Sequence, residues 1–253
     1  MWPVALYAIF GLVVGSFLNV CIYRIPRGKF FSSARSYCPH CGHTLQWYEL
    51  IPLFSFLGLR GRCRVCHERI SVRYPLVEAG NALLWALCFV QYGFGWYSIL
   101  LAVVFSLLLV IACIDLDIME IPNGLSVALL IVGIAPFVAS FFEGSGLPYA
   151  LSWWGYLVGI VAASVPLFLL TLLTRGGIGG GDIKLMAAIG LFAGWQLTLL
   201  GALLGLILGG VAGVVQLVAY GRNKRAMMPL APFLALGMVV SLLWGGQLLA
   251  LIF

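Results

Sequence analysis

The chain has 253 residues, of which 14 are Lys or Arg and 8 are Asp or Glu, so its net charge is +6 while only 9% of residues are charged. Hydrophobic residues make up 63%, well above the roughly 45–50% of soluble domains, which excludes a disordered chain and a water-soluble globule. The solvent must largely be lipid. Nine of the 14 basic residues fall within residues 24–73 and the other five sit in or beside short loops between apolar runs. That is the pattern of loops on one face of a membrane, not of a nucleic-acid-binding stripe.

A helix of about 20 apolar residues crosses the hydrocarbon core. The first such run, residues 2–23, has no basic leader and no small-residue cleavage site, and it reads as a retained span rather than a removed signal peptide. Residues 24–74 are the only polar stretch. Further runs cover residues 75–92, 96–114, 124–142 and 152–174. Residues 183–220 hold two more spans, with Gly190, Gly194 and Gly201 blurring their boundary, and residues 229–249 supply the last.

The expectation is therefore an all-α polytopic membrane protein of about eight transmembrane helices. It divides into a first helix (1–23), a small module (24–74) and a seven-helix domain (75–253). With the N-terminus outside, the inner loops hold every Lys and Arg, including Arg222, Lys224 and Arg225, and the outer loops, one of them carrying Glu143, hold none. Trp2, Trp96, Trp153, Trp154 and Trp195 then fall at outer helix ends, where an aromatic belt sits. Gly201, Gly205, Gly209 and Gly210 read as contacts for close helix packing.

Cys21, Cys88 and Cys113 lie in apolar runs and read as small buried hydrophobes. The other four form two knuckles, Cys38-Pro39-His40-Cys41 and Cys63-Arg64-Val65-Cys66, with 21 residues between them. Two such turns offer four thiolates in a tetrahedron around a structural zinc ion. The competing reading is two disulfides, which a reducing cytosol disfavours. His40, His43 and His67 flank the knuckles as solvated or supporting groups, because four thiolates already complete the shell. Arg60, Arg62, Arg64 and Arg69 would stabilise thiolates or touch anionic lipid.

Carboxylates at membrane depth are costly and mark functional sites. Asp115 ends the run 96–114 and opens an inner loop, 115–123, which also carries Asp117 and Glu120. Asp182 follows three glycines in Ile178-Gly179-Gly180-Gly181-Asp182-Ile183-Lys184. The glycines permit close backbone approach and unusual dihedrals, and the acid gains from the positive end of the following helix. The plainer readings are a helix cap for Asp182 and a solvated loop for Asp115–Glu120. Two carboxylates within reach of each other share one proton, and such a pair activates water and protonates a carbonyl. Every His belongs to the cysteine module, so no Ser/His/Asp triad competes, and H-E-x-x-H is absent.

Taken together these segments resemble the type IV prepilin leader peptidases, GxGD-type membrane aspartic proteases that are often also N-methyltransferases. The resemblance runs through Gly15-Ser16-Phe17-Leu18-Asn19-Val20 with Arg24 and Pro26, the paired knuckles, Glu49-Leu50-Ile51-Pro52 and Arg73-Tyr74-Pro75-Leu76-Val77-Glu78. It continues through Asp115 to Ile121-Pro122-Asn123 and Gly179–Lys184. It implies Asp115 and Asp182 as the catalytic pair, the first lying seven residues before Pro122. Gly179, Gly181, Asp117, Lys184 and Pro122 are then supporting residues. Asp117 is the rival of Asp115, but two residues turn a helix by about 200°, so only one of them faces Asp182.

The resemblance further implies cleavage of basic leaders from type IV prepilins or pseudopilins at the cytosolic face of a bacterial inner membrane. Methylation of the new α-amine by S-adenosylmethionine would follow. No G-x-G-x-x-G follows a strand, so that cofactor would use the module and nearby loops, with Glu49 and Glu78 as candidate contacts. The rivals are a proton- or metal-coupled transporter with a cytosolic metal sensor, and a non-catalytic scaffold.

Overall fold

The computed structural model describes residues 2–30, 35–142, 144–148, 151–174, 176–220 and 228–252. Arg175, Arg222, Lys224, Arg225 and Glu143, which enter the loop-charge argument, lie outside the described residues. Among the described residues the regular structure is helical, apart from two isolated β-bridges. The chain falls into two compact units, residues 1–110 and 111–253.

In the first unit, α1 (Trp2–Arg24) packs on α3 (Arg73–Tyr92). Two glycines allow the contact: a Cβ on Gly11 would lie 2.7 Å from the Ala82 Cα, and one on Gly15 would lie 2.8 Å from the Glu78 Cα. A buried polar seam runs through this interface. Asn81 donates to the Gly11 carbonyl (2.7 Å) and its side-chain oxygen accepts from Ser106 (2.8 Å), while the Trp85 indole N–H donates to the Ser106 hydroxyl (2.9 Å). Such pairing offsets the cost of carrying amide and hydroxyl groups in an apolar interior.

Between these helices lie a 3-10 turn (Trp47–Leu50) and the five-residue α2 (Phe54–Gly58). The bridges Tyr37–Thr44 and Arg62–Arg69 close the two cysteine knuckles. The knuckles repeat one another: the Cys38 and Cys63 amides donate to the carbonyls of His43 and Glu68 at 2.8 Å each, and both turns return a bond to the first cysteine.

Helix α4 (Trp96–Ile118) crosses from the first unit's residues into the second's. It runs four residues beyond the expected boundary, so Asp115 and Asp117 are helical and do not belong to a loop. At about 1.5 Å per residue its 23 residues exceed the roughly 30 Å hydrocarbon thickness. Helix α5 (Asn123–Ala139) follows, capped by the extended Pro122.

The expected span 152–174 is two segments, α6 (Trp153–Ala162) and α7 (Ser164–Leu173). Pro166 explains the break, because it has no N–H to donate backward and its ring crowds the carbonyl four residues earlier. Helix α8 (Gly180–Tyr220) has 41 residues and is interrupted at Gly194, whose φ of 74° and ψ of 169° only glycine adopts readily. Of the three glycines expected to blur this boundary, Gly194 makes the break. Gly190 and Gly159 instead bring α8 and α6 together backbone to backbone, where any side chain would collide.

Gly201 and Gly205 face Met238 and Leu234 of α9 (Ala231–Ile252), as close-packing positions should, and a Cβ on Gly209 would approach Leu230. Gly210 faces open space and has no such role. Cys21, Cys88 and Cys113 are buried, as expected.

Among the described residues five helical stretches are long and apolar enough to cross a membrane: Trp2–Arg24, Trp96–Ile118, Trp153–Leu173, Gly180–Ala219 and Ala231–Leu251. The stretch Gly180–Ala219 is about 60 Å long at helical rise, twice a bilayer core. Helix α5, with 17 residues, is shorter than a full crossing, and α3 carries Arg73, Glu78 and Asn81.

Candidate functional site

The second unit holds a cavity of about 310 Å³ whose lining includes Asp115, Glu120, Ile121, Gly179, Asp182 and Lys184. Asp115 comes from the last turns of α4 and Asp182 from the first turn of α8. They are 5% and 7% exposed, so both are withdrawn from solvent although each sits at a helix end.

Their surroundings differ. Asp115 Oδ2 accepts a hydrogen bond from the Ala231 backbone N–H at the start of α9 (3.1 Å). Asp182 is met by the Gly179 backbone and feels the Asp115 charge, while its Oδ1 is buried without any partner. A buried carboxylate oxygen with no donor is costly, and such orphans mark places where a water or a substrate group completes the bonding.

Of the two roles the sequence suggested for the glycine run, close approach holds at Gly179 and Gly181, while none of the three glycines takes a positive φ. A Cβ on Gly179 would sit 3.1 Å from Asp182 Oδ2 and one on Gly181 would sit 3.0 Å from the Ile121 Cβ, while Gly180 faces open space. Positive φ in this loop occurs at Gly176, at 95°. Asp117, two residues along α4, is exposed and does not line the cavity.

Lys184 donates to the Asn123 side-chain oxygen (3.1 Å), tying α8 to the start of α5 at the cavity edge. Between α4 and α5, Met119 is held at φ 55°, which costs a side-chain-bearing residue about 1–2 kcal/mol. Strain of that kind collects at functional sites. The Ala231 amide was not visible in the sequence, since a backbone donor leaves no side-chain signature, and the Lys184–Asn123 contact joins residues 61 positions apart.

The four cysteines of the first unit present their Sγ atoms within 4.8 Å of one another. Cys38 and Cys66 sulfurs are 3.9 Å apart, and those of Cys41 and Cys63 are 4.0 Å apart. A tetrahedral zinc with bonds of about 2.3 Å requires sulfurs about 3.8 Å apart, whereas a disulfide needs about 2.05 Å. All are free thiols, so the donor set fits a zinc tetrahedron and not the two disulfides. The backbone N–H groups of Cys66 and Val65 favour the Cys63 thiolate and lower its pKa, while at Cys66 the lowering by the Glu68 backbone is outweighed by burial and the neighbouring sulfurs, which raise it.

His43 is no ligand: its Nε2 meets Glu49 Oε2 at 3.2 Å. The same oxygen accepts the Gln46 N–H (2.7 Å). The Gln46 amide, and with it the His43 ring, outweigh burial and hold the Glu49 carboxyl below the usual carboxylate range. Arg64 stacks its guanidinium 5.2 Å from the Tyr48 ring centre.

Fold and site together define a helical membrane protein with paired buried acids and a four-thiolate module. Two family models match it: the Bacterial Peptidase A24 N-terminal domain over residues 9–92 and the Type IV leader peptidase family over residues 102–214. A prepilin leader peptidase/N-methyltransferase of Stutzerimonas stutzeri is 36% identical, the match covering 96% of this chain and 91% of that protein. A protein of the same description from Bacillus subtilis (strain 168) is 35% identical over 96% of this chain and 94% of its own length. One from Pseudomonas putida is 34% identical over 98% and 92%. No solved structure matches the chain. The chain belongs to the type IV leader peptidase family.

Proposed function

We propose that this protein is a membrane aspartic endopeptidase that removes the leader of type IV prepilins or pseudopilins at the cytosolic membrane face and then N-methylates the exposed amine. The observation that carries the reading is the convergence of Asp115 and Asp182 on one small cavity, with Asp182 Oδ1 lacking a donor. A water held between the two carboxylates gives a proton to one of them as its oxygen attaches to the scissile carbonyl carbon. The other gives its proton to the carbonyl oxygen. Collapse of the tetrahedral adduct breaks the C–N bond, and the amide nitrogen leaves as an amine carrying a proton returned by the pair. Gly179 and Gly181 shape the cavity wall, Pro122 sets the start of the adjoining α5, Lys184 and Asn123 brace the rim, and exposed Asp117 stands outside the cavity.

The eight-span arrangement belongs to this reading. It counts α3 and α5 as crossings, joins α6 to α7 and divides α8 at Gly194, with the N-terminus outside. The first helix, the module of residues 24–74 and the remaining seven helices are then its parts. Residues 24–74 face the cytosol, where Cys38, Cys41, Cys63 and Cys66 hold zinc. The module and the loops beside it would hold S-adenosylmethionine, which would supply the methyl group for the new amine. The transporter reading has no support, because both acids line one cavity in a chain of the leader peptidase family.

The test is mass spectrometry of a model prepilin incubated with the detergent-purified protein and S-adenosylmethionine. Loss of the leader followed by a gain of one methylene is expected. Leader removal at the normal rate by a folded Asp182→Asn protein sinks the acid pair.

A further inference from the structure

The polar stretch of the first unit carries some of that unit's most exposed apolar side chains. Trp47 is 77% exposed, and Phe54 and Leu57, three residues apart and so neighbours on one face of α2, are each 71% exposed. Large apolar groups gathered in so short a stretch mark a contact surface.

Hydrogen bonds fix the depth at which this stretch sits. The Leu50 carbonyl accepts from the Ser16 hydroxyl (3.5 Å), and the Leu53 N–H donates to Glu78 Oε2 (2.9 Å). Ser16 lies about two turns, or about 12 Å, inside the end of α1 at Arg24, and Glu78 lies in the second turn of α3. Helix α1 is long and apolar enough to fill the hydrocarbon core, so residues 50–53 are held beside the helices, below the level of their ends. Irregular backbone is tolerated at such depth where protein groups satisfy it, as Ser16 and Glu78 do. Phe17 and Leu76, each within a turn of these contacts, are exposed too and carry the apolar surface on from the helices to the module.

Charge matches an anionic bilayer. Arg60, Arg62, Arg64 and Arg69 are all exposed. The Arg64 guanidinium lies 5.2 Å from the Tyr48 ring centre, and Tyr48 meets the Trp47 ring edge-on at 5.7 Å. Of the two carboxylates in residues 24–74, only Glu68 is exposed. Glu49 is turned into the first unit's cavity, where Oε2 takes the Gln46 N–H and Oε1 is buried without a donor. Aromatic and leucine side chains flanked by arginines are the composition of segments that lie in the headgroup layer.

We propose that residues 47–57 form an interfacial anchor, with Trp47, Phe54 and Leu57 seated at the headgroup–acyl boundary of an anionic bilayer and Arg60 and Arg64 meeting its phosphates. The inference goes beyond the peptidase reading and does not need it. It makes the cysteine module a part docked on the bilayer, not a domain standing off from it. A second copy of the chain or a substrate helix would also cover apolar side chains, but neither calls for four exposed arginines at membrane depth.

The test uses the full-length, metal-loaded protein in phosphatidylcholine vesicles doped with a phosphatidylcholine that carries a diazirine at the top of its acyl chain. After irradiation, mass spectrometry maps the lipid adducts. Adducts within residues 47–57 are expected beside those on α1. Labelling of α1 with none in residues 47–57 overturns the proposal, whatever else covers the stretch. Adding phosphatidylglycerol should raise the yield there several-fold relative to α1, and high salt should reverse the gain; equal yields with and without it overturn the arginine contacts. In a Phe54→Asp, Leu57→Asp protein that keeps its metal, labelling of the stretch should fall several-fold while α1 is labelled as before. Unchanged labelling overturns the anchor. If the double variant sheds metal, the labelling of the unsubstituted protein decides alone.

Discussion

In the first unit's cavity, Glu49 is fixed by Gln46 three residues away and His43 six residues away. In the second unit's cavity, Asp115 is fixed by Ala231, which is 116 residues distant, and Asp182 arrives on another helix again. One acid is placed by turns that a metal can fold, and the other pair by helices that must already be packed. The first design concentrates its vulnerability in four sulfurs. The second spreads it over every contact that sets the spacing of α4, α8 and α9.

The contrast is broken most strongly at the metal. Structural zinc contributes roughly 10–16 kcal/mol to small thiolate modules. Chelation, or Cys63→Ser, should therefore release the ion and open residues 35–72 to protease, read by metal analysis and by mapping the cut sites. An intact, protected module after metal loss would mean that packing alone holds it.

Next in size comes the acid pair. Asp115→Asn should lower prepilin cleavage by at least roughly 10²- to 10⁴-fold, the usual worth of a positioned acid or base. Asp117→Asn, on the exposed face of the same helix, should stay within a few-fold of normal. Equal losses in the two variants would refute the choice between neighbours.

A smaller effect tests the packed-helix side. In Gly190→Val a side chain meets the Gly159 backbone, so α6 and α8 must separate. Overpacking of this sort costs about 1–3 kcal/mol and should lower the melting temperature and the cleavage rate together, while metal content stays fixed.

These differences also explain what was legible in the sequence. The cysteine knuckles are local, and their spacing alone dictates their geometry. The helical, lipid-facing character follows from composition; helix rotation allows only one of Asp115 and Asp117 to face Asp182, and the choice of Asp115 came from the resemblance, through its place seven residues before Pro122. The break at Ala163 was written in Pro166 but hidden inside an unbroken apolar run. Which of three glycines interrupts α8 was not legible, because Gly190 is fixed by a neighbour's backbone and only Gly194 by its own dihedrals. Glu49 was visible only as a candidate, since nothing in Glu49-Leu50-Ile51-Pro52 announces that one oxygen will be spoken for and the other left bare.

The Ala231 contact has a practical corollary. Because the main chain makes it, alanine scanning passes over it in silence: residue 231 is already alanine, and most replacements there keep the amide. Proline is the exception, and it is well suited to the opening position of a helix. An Ala231→Pro protein should keep α9, melt somewhat lower because a buried Asp115 oxygen loses its donor at about 1–3 kcal/mol, and cut prepilin about tenfold more slowly. Aspartate 115 would then be a residue whose working posture is inherited from the point where another helix happens to begin.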